Sequence, residues 1–287
     1  MAVVPAAPLL LPEVSPDQPP GVREGVEELR GVTRRCLERL PPADAYVLVA
    51  AGPRGIYDRA EASLAPVGVP DVAAELPTSD ELLEHLPRLT QYPVLRGVPL
   101  DVSHAVLAML LHEVRGSVTT LPVSAPPGAD FDVLVSVGAA IAEAGRDADL
   151  TVAVVCAGDL SAALHEHSPA GFVDGAPRWD EAVLGLFRDG DLAGLRDLGP
   201  EESTRVHALG WAPLTIAHGA CAAGRLKPGA PTYLAPRGVG ELVAACLPRG
   251  DGESGRPTTD ADADTGRFTR ERTGREGVVP RTGDPRG

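Results

Sequence analysis

Two polar side chains, Asp159 and Ser161, directly follow an apolar run at residues 150–157, in the order Gly158-Asp159-Leu160-Ser161. Short apolar runs are typical of buried parallel strands, and open α/β sheets bind their ligands where such strands end. One hypothesis is therefore that Asp159 and Ser161 line a ligand pocket. The other is that the Asp159 carboxylate caps the turn or helix that follows. The sequence leaves both hypotheses open.

His165 and His167 stand just beyond this turn, in Leu164-His165-Glu166-His167. Imidazole nitrogens are common metal ligands, so this pair could hold a metal ion together with a carboxylate such as Glu241. Two histidines spaced by two residues in a loop are also commonly just solvated, and we favour that interpretation.

The other histidines show no ligand spacing. His104 and His112 lie on one predicted helix, roughly 80° apart around its axis, since each residue turns an α-helix by about 100°. We expect both on the helix surface. His85 is expected to be exposed, and His207 and His218 lie among predicted helices without a ligand partner.

Motifs for nucleophilic catalysis or phosphate binding are absent from the sequence, which contains no GxSxG elbow, no P-loop and no GxGxxG turn. The four cysteines, at positions 36, 156, 221 and 246, form no CxxC pair. This usage favours reduced thiols in a cytoplasmic protein. Cys156 ends a buried run, so we expect it to be packed rather than nucleophilic.

Apolar runs and helical periods alternate along residues 1–247. The predicted strands cover residues 2–11, 45–51, 118–123 and 150–157. The predicted helices cover residues 22–40, 100–114, 130–144, 179–188, 192–198, 201–209 and 213–223. This alternation predicts an α/β fold with a mainly parallel sheet flanked by helices on both faces.

Composition and charge exclude several classes of protein. The net charge of −14 argues against a nucleic-acid partner, because phosphate binding requires a basic surface. No apolar run approaches the roughly 20 residues of a membrane-spanning helix, so we expect no membrane contact and a cytoplasmic location. Residues 248–287 are rich in Gly, Arg, Asp and Thr and poor in aliphatic side chains. That composition predicts a disordered tail after a domain formed by residues 1–247.

Several segments, in the same order, resemble the iron-binding domain of class III extradiol ring-cleavage dioxygenases. The opening Val4-Pro5-Ala6-Ala7-Pro8-Leu9-Leu10-Leu11-Pro12-Glu13 is similar to that family's PHPPLLVPE, and VLVAAGPRG at 47–55 is similar to its strand followed by Ser-Pro-His. Gly158-Asp159-Leu160-Ser161 and Ser168-Pro169-Ala170-Gly171-Phe172 resemble the family's GDLSH motif and PAGY/F segment. The resemblance covers roughly residues 3–247 and implies the fold of that family.

The resemblance also implies a specific chemistry. Members of the family hold a ferrous ion between two histidines and one glutamate, with open positions for a catechol and dioxygen, and a further histidine acts as acid and base. These positions fall on Ala6, on or beside Arg54, on Glu241 and on Ala162. Alanine has no donor atom and a guanidinium stays protonated. The resemblance therefore leaves Glu241 as the single remaining iron ligand.

Arg54 would put a positive charge where the resemblance places an iron ligand. It could hold an anionic ligand such as a carboxylate or a phosphate in two parallel hydrogen bonds. It could instead form a salt bridge with Glu13, Asp58 or Glu241, which we favour.

We therefore expect an extradiol dioxygenase-like pseudoenzyme that binds a small molecule or a protein and needs no cofactor. Its pocket would comprise Ala6, Arg54, Asp159, Ser161, Ala162 and Glu241. The alternative is an active metal-dependent oxidoreductase of the ring-cleavage type, whose Fe(II) site has been rebuilt from His165, His167 or Glu241. The resemblance also suggests a homodimer.

Overall fold

The computed structural model describes residues 1–14 and 18–248. Within them, alternating strands and helices form a mixed, mostly parallel central sheet flanked by helices. The strands are β1 (Ala2–Val4), β2 (Ala45–Ala51), β3 (Gly55–Tyr57), β4 (Ala60–Leu64), β5 (Val69–Leu76), β6 (Val94–Leu95), β7 (Thr120–Ala125), β8 (Val152–Ala157), β9 (Leu226–Pro228), β10 (Thr232–Leu234) and β11 (Glu241–Pro248). The helices are α1 (Pro20–Glu38), α2 (Asp80–Thr90), α3 (Val102–Arg115), α4 (Phe131–Asp147), α5 (Ala176–Asp189), α6 (Leu195–Leu198), α7 (Pro200–Arg205) and α8 (Trp211–Gly224).

The sheet has a parallel centre and antiparallel edges. Its strand order is β10-β11-β1-β8-β2-β7-β3-β6, with β9 also paired to β11, while β4 and β5 form a separate hairpin. The neighbours β1, β8, β2 and β7 are all parallel, whereas β11 is antiparallel to β1 and β3 is antiparallel to β7. The central strands therefore all end at one edge of the sheet, which is where α/β folds place their ligands.

Successive residues of the central strands belong to two separate hydrophobic cores. Val47 and Val49 of β2 pack with α4, α5 and α8, whereas Leu48 and Ala50 pack with α1 and α3. Side chains alternate between the two faces of a strand, so both faces of the sheet are covered. The prediction of helices on both faces is confirmed. None of the helices that the structure describes is long and apolar enough to cross a membrane.

Helices α4 and α8 pack with their backbones in contact. A Cβ atom on Gly138 would lie 2.0 Å from the carbonyl oxygen of Ile216, and one on Gly219 would lie 2.0 Å from that of Val135. Only glycine permits so close an approach of two backbones.

Several predicted boundaries need correction. The strand predicted over residues 2–11 ends at Val4, and two short 3-10 turns follow, Pro8–Leu10 and Pro12–Val14, because prolines cannot donate to a ladder. Residue 248, the first of the predicted tail, is the last of β11; the rest of that tail lies outside the described residues. The strands β3 to β6 and β9 to β11, and the helix α2, are absent from the elements predicted by the apolar pattern.

Candidate functional site

Asp159 connects the ends of two neighbouring parallel strands. Its carboxylate oxygens accept hydrogen bonds from the backbone N–H of Ala6, at 3.2 and 3.1 Å. Ala6 follows β1 and Asp159 follows β8, and the two strands are parallel neighbours. The carboxylate thus holds the loop after β1, and the hypothesis that it caps the following helix or turn is wrong.

Asp180 of α5 reaches the same region from the helical layer. Its Oδ1 accepts a hydrogen bond from the backbone N–H of Ser161 at 2.9 Å, and its Oδ2 accepts one from the Tyr233 hydroxyl at 2.7 Å. The Ser161 hydroxyl is itself buried and donates to the carbonyl of Val206 at 2.6 Å. Ser161 is therefore engaged within the fold and does not line a pocket, contrary to the first hypothesis.

Glu241 completes a group of three carboxylates. It begins β11, is bridged to Asp159, and is 1% exposed. Both of its carboxylate oxygens lack a hydrogen-bond partner among the described residues. We refer to Asp159, Asp180, Glu241 and Tyr233 as the acidic network.

Burial dominates the electrostatics of this network. It raises the pKa of Asp159 to about 6, against the hydrogen bonds from the Ala6 backbone, which lower it. It raises the pKa of Asp180 to about 6 as well, although the Tyr233 hydroxyl lowers it. The pKa of Glu241 lies well above its usual value, first because the side chain is buried and then because Asp159 and Asp180 repel its charge. Desolvation and like charges both favour the protonated form of a carboxyl.

Arg54 stands apart from the acidic network. Its guanidinium donates a hydrogen bond to the carbonyl of Gln91 at 2.9 Å and lies 4.9 Å from the ring centroid of Tyr92. The side chain is exposed. The favoured salt bridge with Glu13, Asp58 or Glu241 is wrong, since none of these acids is paired with Arg54 in the described part of the chain.

Ala162 lines a cavity of about 390 Å³, which we call the Ala162 cavity. Its apolar walls are formed by Pro127, Pro169, Ala170, Ala208 and Leu209. The hydroxyls of Ser203 and Thr204, which also line it, donate to the backbone carbonyls of Ala208 and Pro200. His207 is the ionisable residue in this wall and has a φ of 54°. A non-glycine residue in that region indicates local strain, which is often found at binding sites.

Of the six predicted pocket residues, the structure joins four in hydrogen-bonded or bridged contact around the acidic network: Ala6, Asp159, Ser161 and Glu241. Ala162 lies in the wall of the Ala162 cavity, and Arg54 is exposed elsewhere. The predicted single pocket is therefore divided.

The histidines are arranged differently from the metal alternative. His165 and His167 are exposed, and the backbone N–H of His167 donates to Nδ1 of His165 at 3.1 Å. Across residues 1–14 and 18–248, no group of three His, Cys, Asp or Glu side chains is placed to hold a metal ion.

His104 corrects a further prediction, because it is fully buried rather than on the surface of α3. Its Nε2 is 3.1 Å from the carbonyl oxygen of Val123, and burial lowers its pKa. His112 of the same helix is exposed, as predicted, while His85 is half-buried.

His104 belongs to a second polar group at the same edge of the sheet, the Tyr57 group, formed by Tyr57, Asp101, His104 and Ser124. The Tyr57 hydroxyl donates to Oδ2 of Asp101 at 2.7 Å, and its ring lies 5.1 Å from that of His104. Nδ1 of His104 and Oγ of Ser124 are buried without a partner in the described chain. Gly52 leaves room for the group, because a Cβ atom there would lie 2.5 Å from Oδ2 of Asp101.

Sequence reasoning missed Asp180 and His104, although each left a signal. Asp180 stands in the apolar stripe of α5 with Val183, Leu184 and Phe187, and His104 interrupts an otherwise apolar segment of α3. A polar residue at a core position of a helix usually has a specific partner. Tyr233 left no comparable signal.

Comparison with known proteins adds information on the fold. No protein-family model and no curated protein match the chain. The solved structures that match include the crystal structure of the uncharacterized protein JW3007 from Escherichia coli K12. That protein is 18% identical, with a TM-score of 0.53 over 74% of this chain and 91% of that chain. At this identity the similarity shows the α/β fold alone.

Proposed function

We propose that this protein is a member of the class III extradiol dioxygenase family that has lost ring cleavage and binds a small, largely apolar molecule in the Ala162 cavity. The observation that carries the proposal is the cavity itself, which has hydrocarbon walls and contains the position that the resemblance gives to the acid/base histidine. Its volume falls within the range of about 300–1,000 Å³ that is usual for ligand sites.

The residues present do not fit the ferrous ion that the resemblance implies. Ala6 and Ala162 offer no donor atom, and the protonated guanidinium of Arg54 is turned to Gln91 and Tyr92. Glu241 retains free carboxylate oxygens among the described residues, but a ferrous site of this type needs two imidazoles as well. We therefore derive no step through iron.

The ligand should combine an apolar body with one hydrogen-bonding group. The hydroxyls in the cavity wall are engaged with backbone carbonyls, which leaves the His207 imidazole to bind a polar substituent. Indole and catechol are suitable probes because each pairs an aromatic ring with an N–H or O–H donor.

Binding can be tested by titrating indole and catechol into the full-length protein by calorimetry. Ala162→Phe should fill the cavity and weaken binding at least about tenfold, since the loss of a buried ring contact is worth roughly 1.4 kcal/mol or more. Ala182→Phe is the matched control, because Ala182 is exposed on α5. Equal affinities for the two variants would place the ligand elsewhere.

Ring cleavage is tested separately. The protein, incubated anaerobically with ferrous iron and desalted, should contain almost no iron and leave catechol intact. Stoichiometric iron would mean that His165, His167 or Glu241 contributes to a rebuilt site, and the alternative function would then hold.

A further inference from the structure

A second, smaller cavity of about 90 Å³ lies beside α8 and β9. His218 and Cys221 line it from α8, and Asp191 and Pro228 line it from the loop after α5 and from β9. Residues three apart share one face of a helix. The cavity is about three times the roughly 30 Å³ that one water molecule occupies in the liquid, so it admits a molecule as small as hydrogen peroxide.

Cys246 lies next to Cys221. Its backbone pairs with Pro228 across β11 and β9, and Pro228 shares the cavity with Cys221. The Cys246 thiol donates a hydrogen bond to the Cys221 sulfur. Both cysteines are free, and adjacent sulfur atoms meet the first geometric requirement for a disulfide.

The thiols of this chain differ in acidity. The hydrogen bond from Cys246 lowers the pKa of Cys221, while the same bond and burial raise the pKa of Cys246. Burial raises the pKa of Cys156, and raises that of Cys36 to about 11. Because the thiolate is the nucleophile, Cys221 is the reactive cysteine of the four.

His218 supplies a base in the same cavity. Partial burial lowers its pKa, so its imidazole is neutral near pH 7 and can accept the Cys221 proton.

We propose that Cys221 and Cys246 form an oxidative modification site that a hydroperoxide converts into a disulfide. The Cys221 thiolate attacks one peroxide oxygen, the O–O bond breaks, and the products are a sulfenic acid and hydroxide, which the Cys221 proton converts to water. The Cys246 sulfur then attacks the Cys221 sulfur, the S–O bond breaks, and a second water leaves with the Cys246 proton. The two thiols lose two electrons in all, and hydrogen peroxide is reduced to two waters.

The test treats the reduced, folded, full-length protein with one equivalent of hydrogen peroxide. Free thiols are counted after denaturation, and cross-linked peptides are mapped by mass spectrometry. The number of thiols should fall from four to two, with one peptide pair joining residues 221 and 246. Four remaining thiols, a link through Cys156, or a link between two chains would overturn the proposal.

Dimedone, which labels sulfenic acids, separates the roles of the two thiols. Cys246→Ser should accumulate the label on Cys221, Cys221→Ser should remove it, and Cys36→Ser is the control that changes neither. In the unaltered protein, brief exposure to peroxide should label Cys221 about tenfold or more above Cys156, because labelling follows thiolate content and access. Equal labelling of these two cysteines would contradict the assignment even if a serine variant failed to fold.

Discussion

Two tyrosine–aspartate hydrogen bonds of the same length, 2.7 Å, lie at one edge of the sheet in opposite electrostatic surroundings. Tyr57 donates to Asp101 beside the neutral, buried His104 and the Ser124 hydroxyl. Tyr233 donates to Asp180 beside Asp159 and Glu241, whose carboxylate has no partner in the described chain. Equal geometry therefore does not mean equal energetics: the acidic network is opposed by its own charge, and the Tyr57 group is not.

Crowding the two regions should have the largest effect. A Cβ atom at residue 240 would lie 2.1 Å from Oδ2 of Asp180, so Gly240→Ala should lower the free energy of unfolding by about 2–3 kcal/mol. Gly52→Ala, with its nearest contact at 2.5 Å, should cost slightly less. Urea unfolding measures both. In α5, Gly185→Ala meets nothing within 4 Å and should stabilise by roughly 0.5–1 kcal/mol; a loss there equal to the others would show that any added methyl is harmful.

Removing each tyrosine hydroxyl sharpens the comparison. Tyr57→Phe and Tyr233→Phe should each cost about 1–3 kcal/mol, since both leave a carboxylate without its donor. The Tyr233 hydroxyl lowers the pKa of Asp180, so its loss raises that pKa further above 6. A raised pKa in the folded state removes stability as the pH rises through it. Tyr233→Phe should therefore cost more at about pH 8 than at about pH 5, and parallel pH profiles for the two variants would contradict this contrast.

Neutralising Glu241 should relieve the acidic network. The folded-state pKa values of Asp159 and Asp180 are raised to about 6, so their contribution to stability is full below about pH 4 and is lost as the pH rises through about 6. Glu241→Gln should match the original protein near pH 5 and exceed its stability near pH 8 by about 1–2 kcal/mol. Thermal unfolding across this range is the measurement, with the exposed Glu166→Gln as control. A variant less stable near pH 8 would reveal a cationic partner of Glu241.

The smallest effect is expected at Arg54, which touches neither group. Arg54→Ala removes one exposed hydrogen bond and one contact over the Tyr92 ring, for a loss of less than about 1 kcal/mol. The pH profile of stability should not change. A changed profile would connect Arg54 to the acidic network after all.

Sequence reasoning succeeded where the determinants were local. The strand predicted over residues 45–51 agrees with β2 to the residue, because a continuous apolar run is bounded by Asp44 and Gly52-Pro53. The position of Asp159 at the end of its strand follows from the same kind of pattern. The reasoning failed where partners lie far apart in the chain: Tyr233 meets Asp180 across 53 residues, and no local pattern predicts that pairing.

The short edge strands were missed for a related reason. Strands of three residues such as β9 and β10 carry too little periodicity to be recognised, and their existence depends on β11. The division of the predicted pocket also followed from tertiary contacts, since Arg54 is positioned by Gln91 and Tyr92, which belong to a segment without a predicted helix or strand.

The pairing of β1 between β8 and β11 sets an order on synthesis. Ala2 faces Ala245 on one side and Val155 on the other, so the first strand to be made waits for the last before both of its edges are covered. Chains grow from the N-terminus, and a strand with an open edge is a template for pairing with another chain. Until β11 emerges, the nascent protein therefore exposes the apolar Ala-Val-Val ribbon, and premature termination anywhere before β11 would release a fragment that still displays it.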